Sequence, residues 1–342
     1  MRTSAIALAV AAALSSSAVA QADTTLYGSA RVSVDYTDAN LTDTQKALQI
    51  RELGYSREPD SNWDVVNNLS RLGVQGSEDL GGGLSAIYQF EFGVDMSEGG
   101  NFEFDRPKWV GLKGGFGTVS MGTQWTPYYN VTGVTDIFNS AKTFDVDAYL
   151  YPDAASREAN SVYYATPDFS GFSGEAMIVM NALNTASNGI DNWNAALKYK
   201  NGPLVAGLTY AAFEGFTLDS GEALDNTHLF GLGLGYQIGD FSLGFTYENG
   251  DASLVYGDAQ NYYVSGAYTF GNNVIQAAYG YVDPKDEDSV NNYLLGFQHN
   301  FSKRTGLWVE YIGRNDGANV NDTKRQVFGD QSIVSIGIRH DF

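Results

Sequence analysis

The chain has 342 residues, and 40 Asp and Glu residues against 20 Lys and Arg residues give it a formal net charge of −20. This acidity excludes a protein that binds nucleic acid or anionic membrane surfaces through a large basic patch. The chain contains no Cys, so its fold is held without disulfides. Its 43% hydrophobic content and mean hydropathy of −0.23 suit either a soluble protein or a barrel in which alternate residues face lipid.

Residues 1–22 have the organisation of a secretory signal peptide. Arg2 supplies a positive start, an unbroken apolar run extends from Ala5 to Leu14, and small residues suited to cleavage follow. We expect cleavage after Ala22, with cleavage after Ala20 as the alternative, so that the mature chain begins at Asp23. Since this removes one Arg and no acid, the net charge of −20 would become −21. No later apolar stretch is long enough for a transmembrane helix.

From Thr24 onward, apolar and polar residues alternate with a period of two, as in strands with one apolar and one polar face. Between Leu26 and Tyr36, for example, the even positions are apolar or Gly, and the odd positions include Arg31 and Asp35. The pattern predicts sixteen strands. Their ranges are 24–36, 69–78, 84–94, 105–113, 117–125, 160–167, 172–182, 192–200, 203–213, 227–238, 240–249, 260–270, 273–283, 291–301, 305–314 and 332–342.

The connections between these strands alternate in length. Turns of a few residues, such as 201–202 and 239–240, alternate with long connections that include 37–68, 126–159 and 315–331. Short turns at one end and long loops at the other are typical of outer-membrane barrels. The sequence therefore predicts an all-β, sixteen-stranded antiparallel transmembrane barrel over 23–342, with short periplasmic turns, long extracellular loops and no second domain. A soluble β-sandwich is the alternative, because its strands also alternate, but its turns would be of mixed length.

The last strand ends the chain on an aromatic residue. Apolar or aromatic side chains occupy its alternate positions from Val334 to Phe342, and no tail follows. This pattern looks like the terminal strand that the barrel assembly machinery recognises. The predicted assembly signal consists of Gly337, Ile338, His340 and Phe342.

Five passages carry a resemblance to one protein family. They are Leu26–Gly28, Ser70–Gly81, 106–117, Asn160–Tyr164 and Gly337–Phe342. In this order they resemble the first strand, the second strand with its turn, strands four and five, strand six and the closing strand of the trimeric general-diffusion porins of Gram-negative bacteria. The resemblance covers the mature chain. It implies an outer-membrane homotrimer, in contact with lipid and lipopolysaccharide and assembled by the barrel assembly machinery, that passes ions and small hydrophilic solutes by passive diffusion without a cofactor or metal.

The resemblance also implies a constriction, because in that family the third extracellular loop folds into the barrel and its acidic residues face basic residues of the wall. The third long connection here is 126–159, and its candidate acids are Asp136, Asp145 and Asp147. The inward phases of strands one, two and four present the candidate cations Arg31, Arg71, Arg106 and Lys108. Opposed charges of this kind would create a transverse field across a narrow pore.

Selectivity and alternative functions depend on the loops. Their excess of acids predicts a weak preference for cations, which the basic wall opposes. The alternative is a channel with a dedicated site for a sugar or similar solute, because aromatic residues crowd the third loop. These are Tyr128, Tyr129, Phe138, Phe144, Tyr149 and Tyr151. A barrel enzyme is disfavoured, since His228, His299 and His340 lie in separate predicted strands without a nucleophile or metal cluster beside them.

Overall fold

The structure of the protein, a computed structural model, describes residues 23–40, 61–99, 102–103, 106–146, 156–180, 189–215, 226–253, 257–285, 288–316 and 330–342. The predicted signal peptide lies outside these residues, so its cleavage stays a prediction. Within the described ranges, no helix combines the length and the apolar character needed to cross a membrane.

In the part of the chain that the structure describes, eighteen strand segments form one antiparallel sheet. Two of the strands are each interrupted once, so that the segments make up sixteen strands. The strands are β1 (Asp23–Asn40), β2 (Asn62–Asn67 and Arg71–Gly81), β3 (Leu84–Val94), β4 (Phe102–Glu103 and Lys108–Gly114), β5 (Gly117–Trp125), β6 (Arg157–Ala165), β7 (Phe172–Met180), β8 (Ile190–Asn201), β9 (Leu204–Phe213), β10 (Thr227–Ile238), β11 (Phe241–Ser253), β12 (Gly257–Phe270), β13 (Asn273–Pro284), β14 (Val290–Asn300), β15 (Thr305–Asp316) and β16 (Asp330–Asp341).

The sheet closes on itself. Each strand pairs with the next along the chain, and β16 returns to β1 in a continuous register from Ser29 opposite Asp341 to Asn40 opposite Asp330. Beyond β16, Phe342 and Gly28 exchange backbone N–H···O bonds of 3.1 and 3.0 Å. Closure is required in lipid, because an open edge would leave backbone groups without partners at a cost of several kcal/mol each. The predicted sixteen-stranded antiparallel barrel is confirmed.

The two faces of the barrel differ in polarity. Outward positions carry exposed apolar side chains, such as Leu197 at 55%, Leu295 at 60% and Ile336 at 52% exposure. Inward positions include the fully buried carboxylates Glu248 and Glu310. A soluble sandwich would bury the apolar face and expose the polar one, so this distribution contradicts the soluble alternative.

The third long connection enters the barrel, as predicted. Its first part is a short helix, α1 (Pro127–Thr132), and two 3₁₀ turns follow, Gly133–Thr135 and Ala141–Val146. The Thr126 hydroxyl caps α1 by accepting the Tyr129 N–H at 3.1 Å. Helix α1 lies against β8 to β11. The described part of this connection, residues 126–146, is called the lumen loop below.

The candidate pore constriction

A cavity of about 280 Å³ lies between the lumen loop and the wall formed by the first strands. Its wall side includes Arg31, Arg71, Glu91 and Arg106. Its loop side includes Tyr129, Asp136, Phe138 and Asn139. Opposite charges therefore face each other across a narrow, water-accessible space.

Irregular register shapes the wall side of this cavity. Val32 is opposite Asn67 and Ser29 is opposite Arg71, so three steps along β1 face four steps along β2. The extra residue forms a bulge at 68–70, where Leu69 adopts a φ of +61° that an L-residue occupies only with strain. The Leu69 carbonyl accepts a hydrogen bond from Arg106 Nη2 at 2.8 Å, so Arg106 supports the strained bulge.

A second irregularity, between the two segments of β4, decides which cations face the lumen. Arg106 precedes the second segment and points into the cavity, whereas Lys108 lies opposite Phe90 and shares the outward phase of Val110 and Leu112. The Lys108 ammonium donates to the Arg106 carbonyl at 2.8 Å and lies 5.5 Å from the centre of the Phe92 ring. The structure thus places Lys108 on the outer face, contrary to the expectation that it lines the pore.

The basic residues differ in how much charge they present to the lumen. Arg106 and Glu91 form a buried pair, with Nη1 and Oε1 3.4 Å apart. Arg71 lies 3.9 Å from the same carboxylate, and the Tyr27 hydroxyl donates to it at 2.8 Å. Arg31 and Arg71 keep 20% and 27% of their side chains exposed, so these two charges reach the water of the cavity. Arg106 is largely neutralised by its buried partner.

Arg339 joins this group from the closing strand. Its Nε lies 3.4 Å from Asp341 Oδ2, and its Nη1 donates to the side-chain oxygen of Asn139 in the lumen loop at 3.2 Å. Arg31 approaches the same Asp341 carboxylate to 4.0 Å. The sequence analysis missed Arg339 and Glu91 as site residues. Both lie at inward positions of strands with alternating polarity, so the alternation in the sequence could have predicted that they face the lumen.

On the loop side, Tyr129 organises the cavity. Its ring stacks on Trp125 with centroids 4.3 Å apart, and the Arg157 guanidinium lies 4.6 Å from the Trp125 ring centre on the returning strand β6. The Tyr129 hydroxyl donates to Asp136 Oδ2 at 2.9 Å. Enclosure within the barrel raises the pKa of the Asp136 carboxyl above its usual range, while the Tyr129 hydrogen bond and the Arg31 charge oppose this shift.

Buried contacts with the barrel wall hold the lumen loop in place. Glu310 of β15 accepts the backbone N–H groups of Asn139 at 2.8 Å and Ser140 at 2.9 Å. At the other end of the loop, the fully buried Tyr128 donates its hydroxyl to Glu248 at 2.9 Å. Phe138 packs on an apolar cluster inside the wall. The cluster consists of Tyr263, Leu294, Ile312 and Ile333.

The structure therefore brings together four of the predicted constriction residues, namely Arg31, Arg71, Arg106 and Asp136. The side chain of Asp145 and the whole of Asp147 lie outside the described residues. Of the loop aromatics, Tyr128 packs against the wall, whereas Tyr129 and Phe138 line the cavity. The side chain of Phe144 and the residues Tyr149 and Tyr151 also lie outside the described residues.

The predicted assembly residues lie at the closing seam. Gly337 faces inward beneath the Trp308 ring, from which an added Cβ would be only 2.0 Å away. Ile338 is exposed on the outer face, and Nδ1 of His340 lies 2.9 Å from the Thr305 hydroxyl of β15. The Phe342 ring covers Gly28 of β1. These residues thus contact both strands that flank the chain end, but their role in assembly stays a prediction.

Comparisons with known proteins agree with this architecture. A family model described as Gram-negative porin matches residues 7–319. Outer membrane porin protein 32 of Delftia acidovorans is 31% identical over the full length of both chains, and the major outer membrane protein P.IB of Neisseria gonorrhoeae is 30% identical over 90% of this chain and 92% of its own. Among solved structures, an anion-selective porin from Comamonas acidovorans superposes with a TM-score of 0.73 at 24% identity, covering 94% of this chain and all of that one.

Proposed function

Because the chain belongs to the family of Gram-negative porins, which are channels of the outer membrane, we propose that it passes ions and small hydrophilic solutes by passive diffusion. The observation that carries this proposal is the lumen loop, which folds into the barrel and leaves a charged, water-accessible cavity beside the wall. A polar lumen of this kind admits hydrated solutes and disfavours apolar ones.

The geometry of the cavity favours a weak preference for anions. Among the described residues, Arg31, Arg71 and Arg339 keep part of their charge exposed, against the carboxylates Asp136 and Asp341. Arg106 and Glu91 cancel each other because they are paired and buried. The expectation of weak cation preference gains no support from this arrangement, and the structural relative from Comamonas acidovorans is itself described as anion-selective.

Reversal potentials of the purified protein in planar bilayers under a KCl gradient test this proposal. We expect a weakly anion-selective wild type and a shift towards cations in Arg71→Ser. Lys108→Met is the matched control, because it removes the same charge from the outer face of the same wall. The Arg71→Ser shift should shrink in molar salt, where the Debye length falls to about 3 Å. Cation selectivity in the wild type, or equal shifts in both variants, would contradict the assignment.

A channel with a dedicated solute site is the second candidate. The supporting observation is the stacked pair Trp125 and Tyr129, which lines the cavity beside the arginines and provides aromatic surface for contact with a sugar ring. Sugar flux into proteoliposomes distinguishes the two functions. Flux that saturates with sugar concentration and is lost in Trp125→Ala would favour a dedicated site, whereas linear flux supports general diffusion.

We further propose that the protein is a homotrimer assembled by the barrel assembly machinery and surrounded by lipopolysaccharide. The outward Lys108 supports a covered face, because a cation facing lipid near the bilayer midplane costs about 2–4 kcal/mol. A partner subunit over β4 would provide a polar surrounding that lipid does not. A mass corresponding to one chain in mild detergent would exclude the trimer.

A further inference from the structure

Helix α1 and the 3₁₀ turn after it rest on a part of the barrel wall where several inward positions are glycine. The inward phases of β9, β10 and β11 carry side chains such as Thr209, Leu229 and Glu248 elsewhere, but present glycine beneath the helix and the 3₁₀ turn. These glycines are Gly207, Gly231, Gly233 and Gly244, and they are called the glycine seat below.

The lumen loop lies so close to the glycine seat that there is no room for a Cβ atom at Gly233. A Cβ added at Gly233 would lie 2.0 Å from the Val131 carbonyl oxygen, and one at Gly207 would lie 2.8 Å from Val131 Cγ2. A Cβ at Gly231 would lie 2.9 Å from Thr132 Cγ2. Alanine at Gly233 is therefore incompatible with the present position of the α1 backbone, and alanine at Gly207 or Gly231 would require the neighbouring side chains to shift.

The same helix carries one side of the constriction. Tyr129 belongs to α1, and Asp136 follows the 3₁₀ turn after it, so both move with Val131. Arg31 and Arg71 are part of the continuous barrel ladder and do not move with α1. The distance of α1 from the wall behind it therefore determines the width of the passage in front of it.

We propose that Gly207, Gly231 and Gly233 are positioning residues that set the width of the pore constriction by allowing α1 to lie directly on the wall backbone. The proposal rests on the diffusion function proposed above and adds residues that touch neither the solute nor the charged cavity. Ordinary contact begins near 3.4 Å, so a methyl group at Gly233 requires the Val131 carbonyl to move by about 1.4 Å, away from the wall and into the lumen.

Single-channel conductance of Gly233→Ala tests the proposal, with Gly235→Ala as the matched control. Gly235 lies on the same strand and face, but its added Cβ would meet its nearest neighbour, Val134 Cγ2, at 3.6 Å, an ordinary contact. Both substitutions are chemically identical. We expect lower conductance and a smaller size limit for neutral solutes in Gly233→Ala, and wild-type values for both in Gly235→Ala.

A compensating pair separates positioning from general damage to the fold. Gly207→Ala should lower the conductance, and Gly207→Ala combined with Val131→Ala should restore it, because the Val131 Cγ2 atom that the new methyl group meets is then gone. This pair also tests the proposal if Gly233→Ala does not assemble. Conductance in Gly207→Ala that is unchanged or higher, or that the second substitution does not restore, would overturn the proposal. A wild-type protein without conductance would instead contradict the channel function itself.

Discussion

Replacing Glu310 with Gln is expected to loosen the lumen loop while preserving the shape of the side chain. The Glu310 carboxylate is fully buried and accepts two backbone N–H groups with different oxygens, from Asn139 to Oε1 and from Ser140 to Oε2. Oε1 also accepts the side-chain amides of Asn139 and Gln276, each at 3.1 Å. A glutamine offers one acceptor oxygen and one NH₂ donor, so one of the two backbone N–H groups would face another donor.

The cost follows from these contacts. A hydrogen bond to a charged group contributes about 1.5–3 kcal/mol, and a buried donor left without an acceptor adds a penalty of about 1–3 kcal/mol, so the docking of the loop should weaken by about 2.5–6 kcal/mol. Hydrogen exchange at Asn139 and Ser140 should accelerate, and single-channel recordings should show added current fluctuations. Glu78→Gln is the control, because it makes the same chemical change at an exposed site near a short turn. Wild-type exchange and quiet currents in Glu310→Gln would refute the reasoning.

The other predictions concern the cavity and the chain end. Asp136→Asn should strengthen anion preference, and lowering the pH should have the same effect on the wild type. The pKa of Asp136 is raised, so its negative charge is lost at a higher pH than that of an ordinary carboxyl. A reversal potential that does not change with pH would contradict this prediction. Deleting Phe342 should abolish barrel assembly without affecting synthesis, because Phe342 forms two backbone hydrogen bonds with Gly28 and its ring covers that glycine. Normal amounts of the shortened protein at the cell surface would show that Phe342 is not required. Ile338→Asp places a charge on the lipid face, which destabilises the folded barrel by up to about 3 kcal/mol, so the folded fraction in detergent should fall. An unchanged folded fraction would show that Ile338 does not face lipid.

The strands could be predicted from the sequence because each has its own periodic signal. The alternation around Arg31 fixes the inward phase of β1, and the structure preserves that phase over the whole strand. The same rule failed at Lys108, two residues after Arg106. Alternation predicts side-chain direction only while the ladder is regular. From Gly93 opposite Glu103 to Phe90 opposite Lys108, three steps along β3 face five steps along β4, so the two segments keep one phase, and Arg106 departs from it because it lies in the inserted stretch. Pro107 marks that interruption, but a proline is also compatible with a regular strand start.

The position of the lumen loop could not be predicted from local signals. The alternate glycines Gly231, Gly233 and Gly235 are visible in the sequence, yet a glycine in a strand interior is equally compatible with a bulge or a bend. The close contact of Gly233 is with Val131, which lies about a hundred positions away in the chain, and the loop is also held by the contacts of Asn139 with Glu310 of β15. Such long-range contacts leave no periodic signal in either segment.

Whole-chain charge is a poor guide to the selectivity of a pore of this kind. The excess of acids on the loops predicted cation preference, yet charges act on a passing ion over a Debye length of about 8 Å at physiological salt, so acids on distant loops are screened. What the ion meets in the cavity is set by exposure and pairing: Arg71 presents its charge to water, whereas Arg106 shares a buried pair with Glu91. We therefore expect different roles for two arginines that the sequence places in the same ladder: Arg71 would act on the ion, whereas Arg106 bonds the Leu69 carbonyl of the bulge. Removing the Arg71 charge should change selectivity, and removing the Arg106 charge should first change the shape of the wall.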